Sequence, residues 1–159
     1  MKTYADTGFL CSLYAPDAHT VVAAARMKRQ ALPLPVTWLH QLEFRSALRM
    51  RVFRKEITPV QRDASLNAML ADLATGVLAH APSSLVDLTL EAERLSVLHT
   101  EMIGTRSLDI LHVAAALVLG KPDFLTFDRR QHALAVAAGL SAPVLGCCQQ
   151  RRDQLGASR

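Results

Sequence analysis

The sequence predicts a three-layer α/β/α domain in which helices cover both faces of a central, mostly parallel sheet of four to five short strands. Short β-prone runs alternate with longer segments of helical periodicity, and this alternation is typical of a parallel sheet. The 159 residues, half of them hydrophobic, are enough to bury one core but not two. We therefore expect one domain over residues 1–145, followed by a polar tail over 146–159.

The first half of the chain contains signals that mark where its helices begin and end. Thr58 and Gln61 form a capping box, and Pro59 between them occupies the first helical position. Gly76 is suited to the left-handed conformation that ends a helix. The predicted elements are a strand over 2–5, a helix over 18–30, a strand just before Thr37, a helix over 38–54 and a helix over 59–75.

The second half continues the alternation and contains the most apolar helix. The segment Thr105–Leu119 is dense in Ala, Leu and Val, which predicts a central, buried helix, and Gly120 and Pro122 follow it as stop signals. The other predicted elements are a strand over 77–79, a helix over 83–98, a strand over 124–127, a helix over 129–138 and a last strand over 143–145.

Composition narrows the classes of function. The formal net charge of +4 is compatible with a polyanionic partner such as nucleic acid. There is no apolar run of membrane-spanning length and no secretory signal pattern, so we expect a cytoplasmic protein without a membrane segment. Cys11, Cys147 and Cys148 are an odd number without CxxC spacing, which supports neither a disulfide framework nor a zinc site.

Two aspartates occupy positions where ligands bind in parallel sheets. Asp6 follows the first predicted strand and Asp128 follows the strand over 124–127, and ligand sites of such folds lie at the carboxyl ends of the strands. Glu43 lies in the helix after the second strand, and Asp109 lies in the first turn of the apolar helix. Four carboxylates are therefore predicted to converge at one end of the sheet.

Asp109 is the most informative of the four. An aspartate flanked by Leu108 and Ile110 in an apolar helix carries a desolvation cost unless a cation compensates it. Clustered carboxylates without a Cys or His cluster favour Mg2+ or Mn2+. The alternatives are structural: Asp6 and Asp128 as helix N-caps, Glu43 as a solvated residue, and Asp109 as an arginine partner or helix cap.

Basic residues accompany the acidic ones. Arg45 and Arg49 are four residues apart on the Glu43 helix, so they share one side of it and either track an RNA backbone or form a solvated basic face. Arg129 and Arg130 directly follow Asp128, which places them to contact a phosphate. His112 is one turn after Asp109, and a packed, hydrogen-bonded histidine is favoured there over a metal ligand.

Four segments in order resemble the motifs of PIN domains, and the toxin nucleases of VapBC-type toxin-antitoxin pairs in particular. The resemblance covers about residues 2–145 and rests on Tyr4–Leu10, Glu43, Thr105–Ala116 and Leu125–Arg130. It implies a PIN-like nuclease domain, a VapC-like toxin of a type II pair. In one departure, Gly8 stands where many relatives carry Ser or Asn, so a polar neighbour of the site is missing.

The resemblance also implies an activity and partners. The activity is an Mg2+- or Mn2+-dependent endoribonuclease in which Asp6, Glu43, Asp109 and Asp128 hold the metal and orient a water molecule against an RNA phosphodiester. The implied partners are an RNA substrate, an antitoxin protein encoded alongside, and a second copy of the chain in a homodimer.

Other functions stay open at this level. One is a non-catalytic PIN-fold module that binds RNA, although four carboxylates at a phosphate-binding mouth would only repel the ligand. Another is a PIN nuclease of RNA processing that is not a toxin. A phosphatase with Asp6 as nucleophile is disfavoured because Gly8 breaks the Asp-x-Asp pattern. No base-reading motif indicates which RNA is cut.

Overall fold

The fold is described from a computed structural model that covers residues 2–30 and 33–145. The predicted tail over 146–159, with Cys147 and Cys148, lies outside the described residues. The four strands are three residues long each: β1 Thr3–Ala5, β2 Leu34–Val36, β3 Leu78–His80 and β4 Asp123–Leu125.

Helices occupy most of the described chain. Their bounds are α1 Thr7–Tyr14, α2 Thr20–Met27, α3 Trp38–Phe53, α4 Pro59–Thr75, α5 Leu85–Ile103, α6 Ser107–Val118 and α7 Arg129–Ala137. The capping box of Thr58 and Gln61 and the left-handed Gly76 are present as predicted. The predicted end of α5 near Leu98 is wrong, because the helix continues to the left-handed Gly104, which supplies the conformation that stops it.

Both strand ladders are parallel. β1 pairs with β4 and β2 pairs with β3, so the described strands form two two-stranded ladders rather than one hydrogen-bonded sheet of four to five strands, and β1 lies beside β2. His40 bridges β1 and the loop after β2: its Nε2 donates to the Ala5 carbonyl at 2.7 Å and its Nδ1 accepts from the Thr37 backbone N–H at 3.0 Å. Burial lowers the pKa of His40 to about 3, so this bridge is neutral at physiological pH.

One predicted strand at the end of the domain is wrong, and one helix near its start was not predicted. Residues 143–145 are not a strand; instead Ser141 forms an isolated parallel bridge with Asp123. Pro143 lacks the N–H that a ladder needs. The helix α1 was not among the predicted elements, because it has only eight residues and Gly8 near its start weakens the helical signal.

The core has two parts, one on each face of the sheet. Tyr4 and Phe124 pack with apolar residues of α5, α6 and α7, whereas Ala5 and Leu125 pack with those of α1, α3 and α4. Since successive strand residues point to opposite faces, this division confirms the three predicted layers. The inner residues of α6 are fully buried, as predicted for a central helix. No helix among the described residues is long and apolar enough to cross a membrane.

Candidate active site

Asp6 stands at the end of β1 and is the N-cap of α1. Its Oδ1 accepts a hydrogen bond from the Phe9 backbone N–H at 2.6 Å, and its Oδ2 lies 2.6 Å from the Thr126 hydroxyl, which donates to it. The residue is only 5% exposed. The helix-cap interpretation of Asp6 is therefore correct as geometry, but an N-cap is ordinarily exposed, and this one is inside the protein.

The charge of Asp6 has no arginine or lysine partner among the described residues. Burial raises the pKa of its carboxyl, and the nearby charge of Glu43 adds to the rise, while His112 and the hydrogen bonds from Thr126 and Phe9 oppose it. A Cβ at position 8 would lie 3.4 Å from both carboxylate oxygens, so Gly8 leaves this side of Asp6 uncovered. The neighbouring groups thus offset only part of the cost of burying the ionised Asp6 carboxylate.

Glu43 belongs to a buried hydrogen-bond network rather than to a solvated surface. Its Oε2 accepts from the Thr7 hydroxyl at 2.7 Å and from His112 Nε2 at 2.5 Å. On the other side of the ring, His112 Nδ1 and the Tyr4 hydroxyl are 2.8 Å apart. The Glu43 side chain is 21% exposed and His112 is almost completely buried, so the predicted packed, hydrogen-bonded histidine is confirmed.

This network keeps Glu43 ionised. Burial by itself would raise the pKa of Glu43, but the hydrogen bond and charge of His112, together with the hydrogen bond of Thr7, bring it below the ordinary value. Oε1 accepts no hydrogen bond from the described residues. Glu43 therefore presents one fixed and charged carboxylate whose second oxygen is available to a ligand.

Asp109 has the structural role that was the alternative to a metal ligand. Its Oδ2 accepts from the Arg106 backbone N–H at 3.3 Å and from Arg106 Nε at 3.2 Å, which closes a capping box at the start of α6. The Asp109 side chain is 14% exposed and that of Arg106 is 68% exposed. The compensating cation that the apolar surroundings of Asp109 predict is thus, in this structure, a guanidinium.

Asp128 is the N-cap of α7 and is more open. Its Oδ1 accepts from the backbone N–H groups of Arg130 and Gln131, and its Oδ2 lies 3.9 Å from Arg106 Nη2. Arg106 therefore lies between Asp109 and Asp128 and neutralises both in part.

Thr126 connects the two halves of the site. Its hydroxyl oxygen contacts Asp6 Oδ2 and also accepts from the Asp128 backbone N–H at 2.9 Å. The Thr126 hydroxyl also lies 2.9 Å from Gln131 Oε1, and Gln131 Nε2 donates to the Asp109 backbone carbonyl at 3.4 Å. The sequence interpretation did not assign Thr7, Arg106 or Thr126 to the site, although each lies within three residues of a predicted carboxylate.

The four carboxylates lie around one end of the sheet as two linked pairs. Within residues 2–30 and 33–145, no three side chains of His, Cys, Asp or Glu come close enough together to hold a metal ion. The donor chemistry nevertheless fits a hard cation, because all four side chains offer carboxylate oxygens and Asp6 has an uncovered face. Arg106 occupies the position of a cation between Asp109 and Asp128.

The predicted phosphate-binding arginines fall into two groups. Arg45 and Arg49 are two and six residues after Glu43, so they point away from its side of α3; Arg45 lines a groove between α3 and α4, and both arginines line an adjacent depression on α3. Arg129 is exposed beside Asp128, and Arg130 donates to the Gly104 carbonyl at 3.3 Å. Only the second group lies next to the acidic site.

The short parallel strands between layers of helices form a PIN-like fold, as predicted. Among solved structures, the chain is similar to the crystal structure of VapC20 from Mycobacterium tuberculosis, a sarcin-ricin loop cleaving toxin. The similarity covers 91% of this chain and 99% of that one, with a TM-score of 0.67 and 21% sequence identity. No protein-family model matches the sequence, and no curated protein matches it.

Proposed function

We propose that this protein is a metal-dependent endoribonuclease whose active site is formed by Asp6, Glu43, Asp109 and Asp128, with Mg2+ or Mn2+ as the cofactor. The observation that carries the proposal is the Asp6–Glu43 pair: two interacting carboxylates, Asp6 buried and Glu43 half-buried, at the carboxyl end of a parallel strand pair and without an arginine or lysine partner among the described residues. Nothing in the fold itself requires such a pair, and it raises the cost of folding.

The residues of the chain hold this pair in one geometry. Thr126 and the Phe9 N–H fix Asp6, and His112 and Thr7 fix Glu43, so both carboxylates are preorganised for a ligand. A bound Mg2+ or Mn2+ would supply charge neutralisation and a water of lowered pKa for attack on the phosphodiester. Asp6, and Glu43 through Oε1, would be its ligands nearest the sheet.

Asp109 and Asp128 can bind the same metal ion only if Arg106 moves away from them. Its side chain is mostly exposed, so it can turn away from Asp109 at small cost. A guanidinium freed in this way is suited to bind an RNA phosphate in a bidentate manner. We assign the same contact to Arg129 and Arg130, which flank Asp128, and rank Arg45 and Arg49 below them because they lie on another face.

A toxin role is the finer part of the proposal. It is supported by the fold shared with VapC20 and by the net charge of +4, which favours a polyanionic substrate. We propose an antitoxin protein and a second copy of the chain as partners, and the cytoplasm as the location. A short adjacent reading frame whose product copurifies with the chain and inhibits cleavage would distinguish a toxin from a nuclease of RNA processing.

The activity is tested with purified protein on tRNA and on an RNA hairpin that carries the sarcin-ricin loop. We expect cleavage with Mg2+ or Mn2+, none in EDTA, and none with Asp6→Asn. Asp87→Asn, which removes an exposed carboxylate on α5, is the matched control and should cleave like the wild type. Cleavage that survives both EDTA and Asp6→Asn would show that the mechanism is wrong, and RNA binding without cleavage would indicate a binding module.

A further inference from the structure

A cavity of about 320 Å³ opens directly beside the acidic site. Thr126 and Asp128 line it, and they also contact Asp6 and Arg106, so the cavity and the site share a wall. Its other walls include His19, Phe127 and Arg129. A ligand bound in the cavity would therefore lie next to the carboxylates.

Three aromatic rings form a stack at this cavity. Phe9 and Phe127 are 5.7 Å apart and 13° from parallel, and Phe127 and His19 are 4.3 Å apart and 12° from parallel. Phe9 is fully buried in the core, Phe127 is half-buried and His19 is exposed. The stack is thus anchored at its inner end and presents a flat, accessible ring at its outer end.

The rest of the cavity is built from fixed groups. The His132 ring and the Ala142 carbonyl are joined through Nε2 by a 2.9 Å hydrogen bond, which holds the segment after α7 in place as a wall. The exposed guanidinium of Arg129 lies at the edge next to Asp128. A flat ring, a cation and an adjacent acidic site together suit a planar, polar ligand attached to a phosphate.

We infer that this cavity binds a nucleobase of single-stranded RNA, belonging to a nucleotide next to the phosphodiester that is cleaved. Bases that are unstacked from RNA bind on aromatic and histidine rings and on arginine planes, and every base has the required flat face. The volume is at the lower end of small-molecule pockets, which suits a single base. The inference rests on the proposed ribonuclease function and adds to it how the substrate is positioned.

The test compares two single-stranded probes that carry the same phosphates: octaadenylate and an octamer of the same length in which every nucleotide is abasic. Binding is measured in Mg2+ with the Asp6→Asn protein, so that no probe is cut. The protein should bind octaadenylate at least about fivefold more tightly than the abasic octamer. His19→Ala should reduce this ratio to near one without changing the affinity for the abasic octamer.

Two further variants test whether the ring itself is responsible. His19→Trp, which enlarges the stacking surface, should raise the ratio, whereas His99→Ala, on α5 and outside the cavity, should leave it unchanged. His19 is exposed and makes no side-chain cap hydrogen bond, so its variants should fold, and His19→Ala should melt only slightly below the parent protein because it loses the stacking contact with Phe127.

The outcomes separate this inference from the proposed function. Equal binding of both octamers, or an equal loss for both with His19→Ala, would overturn the base-binding cavity even if the wild type cleaves tRNA. Failure to bind either octamer, with cleavage of structured RNA intact, would overturn it as well. If the wild type neither cleaves nor binds any RNA, the ribonuclease proposal fails and the cavity inference fails with it.

Discussion

The two halves of the acidic site compensate their charges in different ways. Asp6 is buried and Glu43 half-buried, and both are held by hydroxyl and amide donors together with His112, whereas Asp109 and Asp128 share the exposed guanidinium of Arg106. In the first half the desolvation cost is offset at Glu43 but only partly at Asp6, whose pKa stays raised; in the second half a cation of the chain already offsets it. A divalent cation should therefore stabilise the first half most and compete with Arg106 in the second.

The largest effect is expected from removing the histidine that holds Glu43. His112→Ala removes one hydrogen-bond partner of the buried Tyr4 hydroxyl and takes a donor away from Glu43, so it should lower the free energy of unfolding by about 2–4 kcal/mol in EDTA. Urea denaturation measures this change. His112→Gln should recover part of the loss, since an amide can still donate to Glu43.

A matched substitution gives the scale for that result. His99→Ala removes a histidine from α5 that has no part in the network, and it should change stability by less than about 0.5 kcal/mol. If His112→Ala had an equally small effect, the network would not be the support of Glu43 that its geometry indicates.

A smaller effect, of opposite sign, is expected at Asp6. Because burial raises the folded-state pKa of Asp6 above its ordinary value of 3.8, the folded protein keeps a proton that the unfolded chain has lost, so stability falls as pH rises from about 3.8 through the folded-state pKa. Asp6→Asn removes this penalty. At pH 7 in EDTA the variant should be as stable as the wild type or about 1 kcal/mol more stable, while losing most of the stabilisation by Mg2+.

An Asp-to-Asn substitution at Asp128, in the second half of the site, tests the contrast with Asp6. Asp128→Asn removes a half-exposed carboxylate whose ion pair with Arg106 is long, so its metal-free stability at pH 7 should differ little from that of the wild type. Thermal melts of both variants from pH 4 to 8 in EDTA provide the comparison. A clear destabilisation by Asp6→Asn at pH 7 would show that Asp6 is a structural cap and not a strained carboxylate.

The smallest effect on stability is expected at Arg106, but it gives the sharpest test of competition. Arg106→Gln should change metal-free stability by less than about 1 kcal/mol because the side chain is exposed. It should lower the Mg2+ concentration that gives half of the maximal thermal stabilisation, since the resident cation is gone. Arg94→Gln, which breaks the comparable Glu91 pair on α5, is the control and should leave that concentration unchanged.

Local sequence contains the signals for two features of the site: the helix caps at Asp6 and Asp128, and the pairing of Arg106 with Asp109. Asp6 and Asp128 follow strands and precede helices, so both their position and their N-cap geometry follow from neighbouring residues. Arg106 stands three residues before Asp109, a spacing that places side chains together on a helix, and it was the local signal for the pair that the structure contains.

The sequence by itself determined the alternation of strands and helices, the parallel sheet, the buried α6 and the four carboxylates at one end of the sheet, because periodicity and helix-capping residues act over a few neighbouring positions. Only the tertiary structure decided how those carboxylates are compensated. The hydrogen bond from His112 to Glu43 joins residues 69 positions apart, and the one from Thr126 to Asp6 joins residues 120 apart. Local patterns carry no information about such contacts, since they form only when packing brings separate elements together.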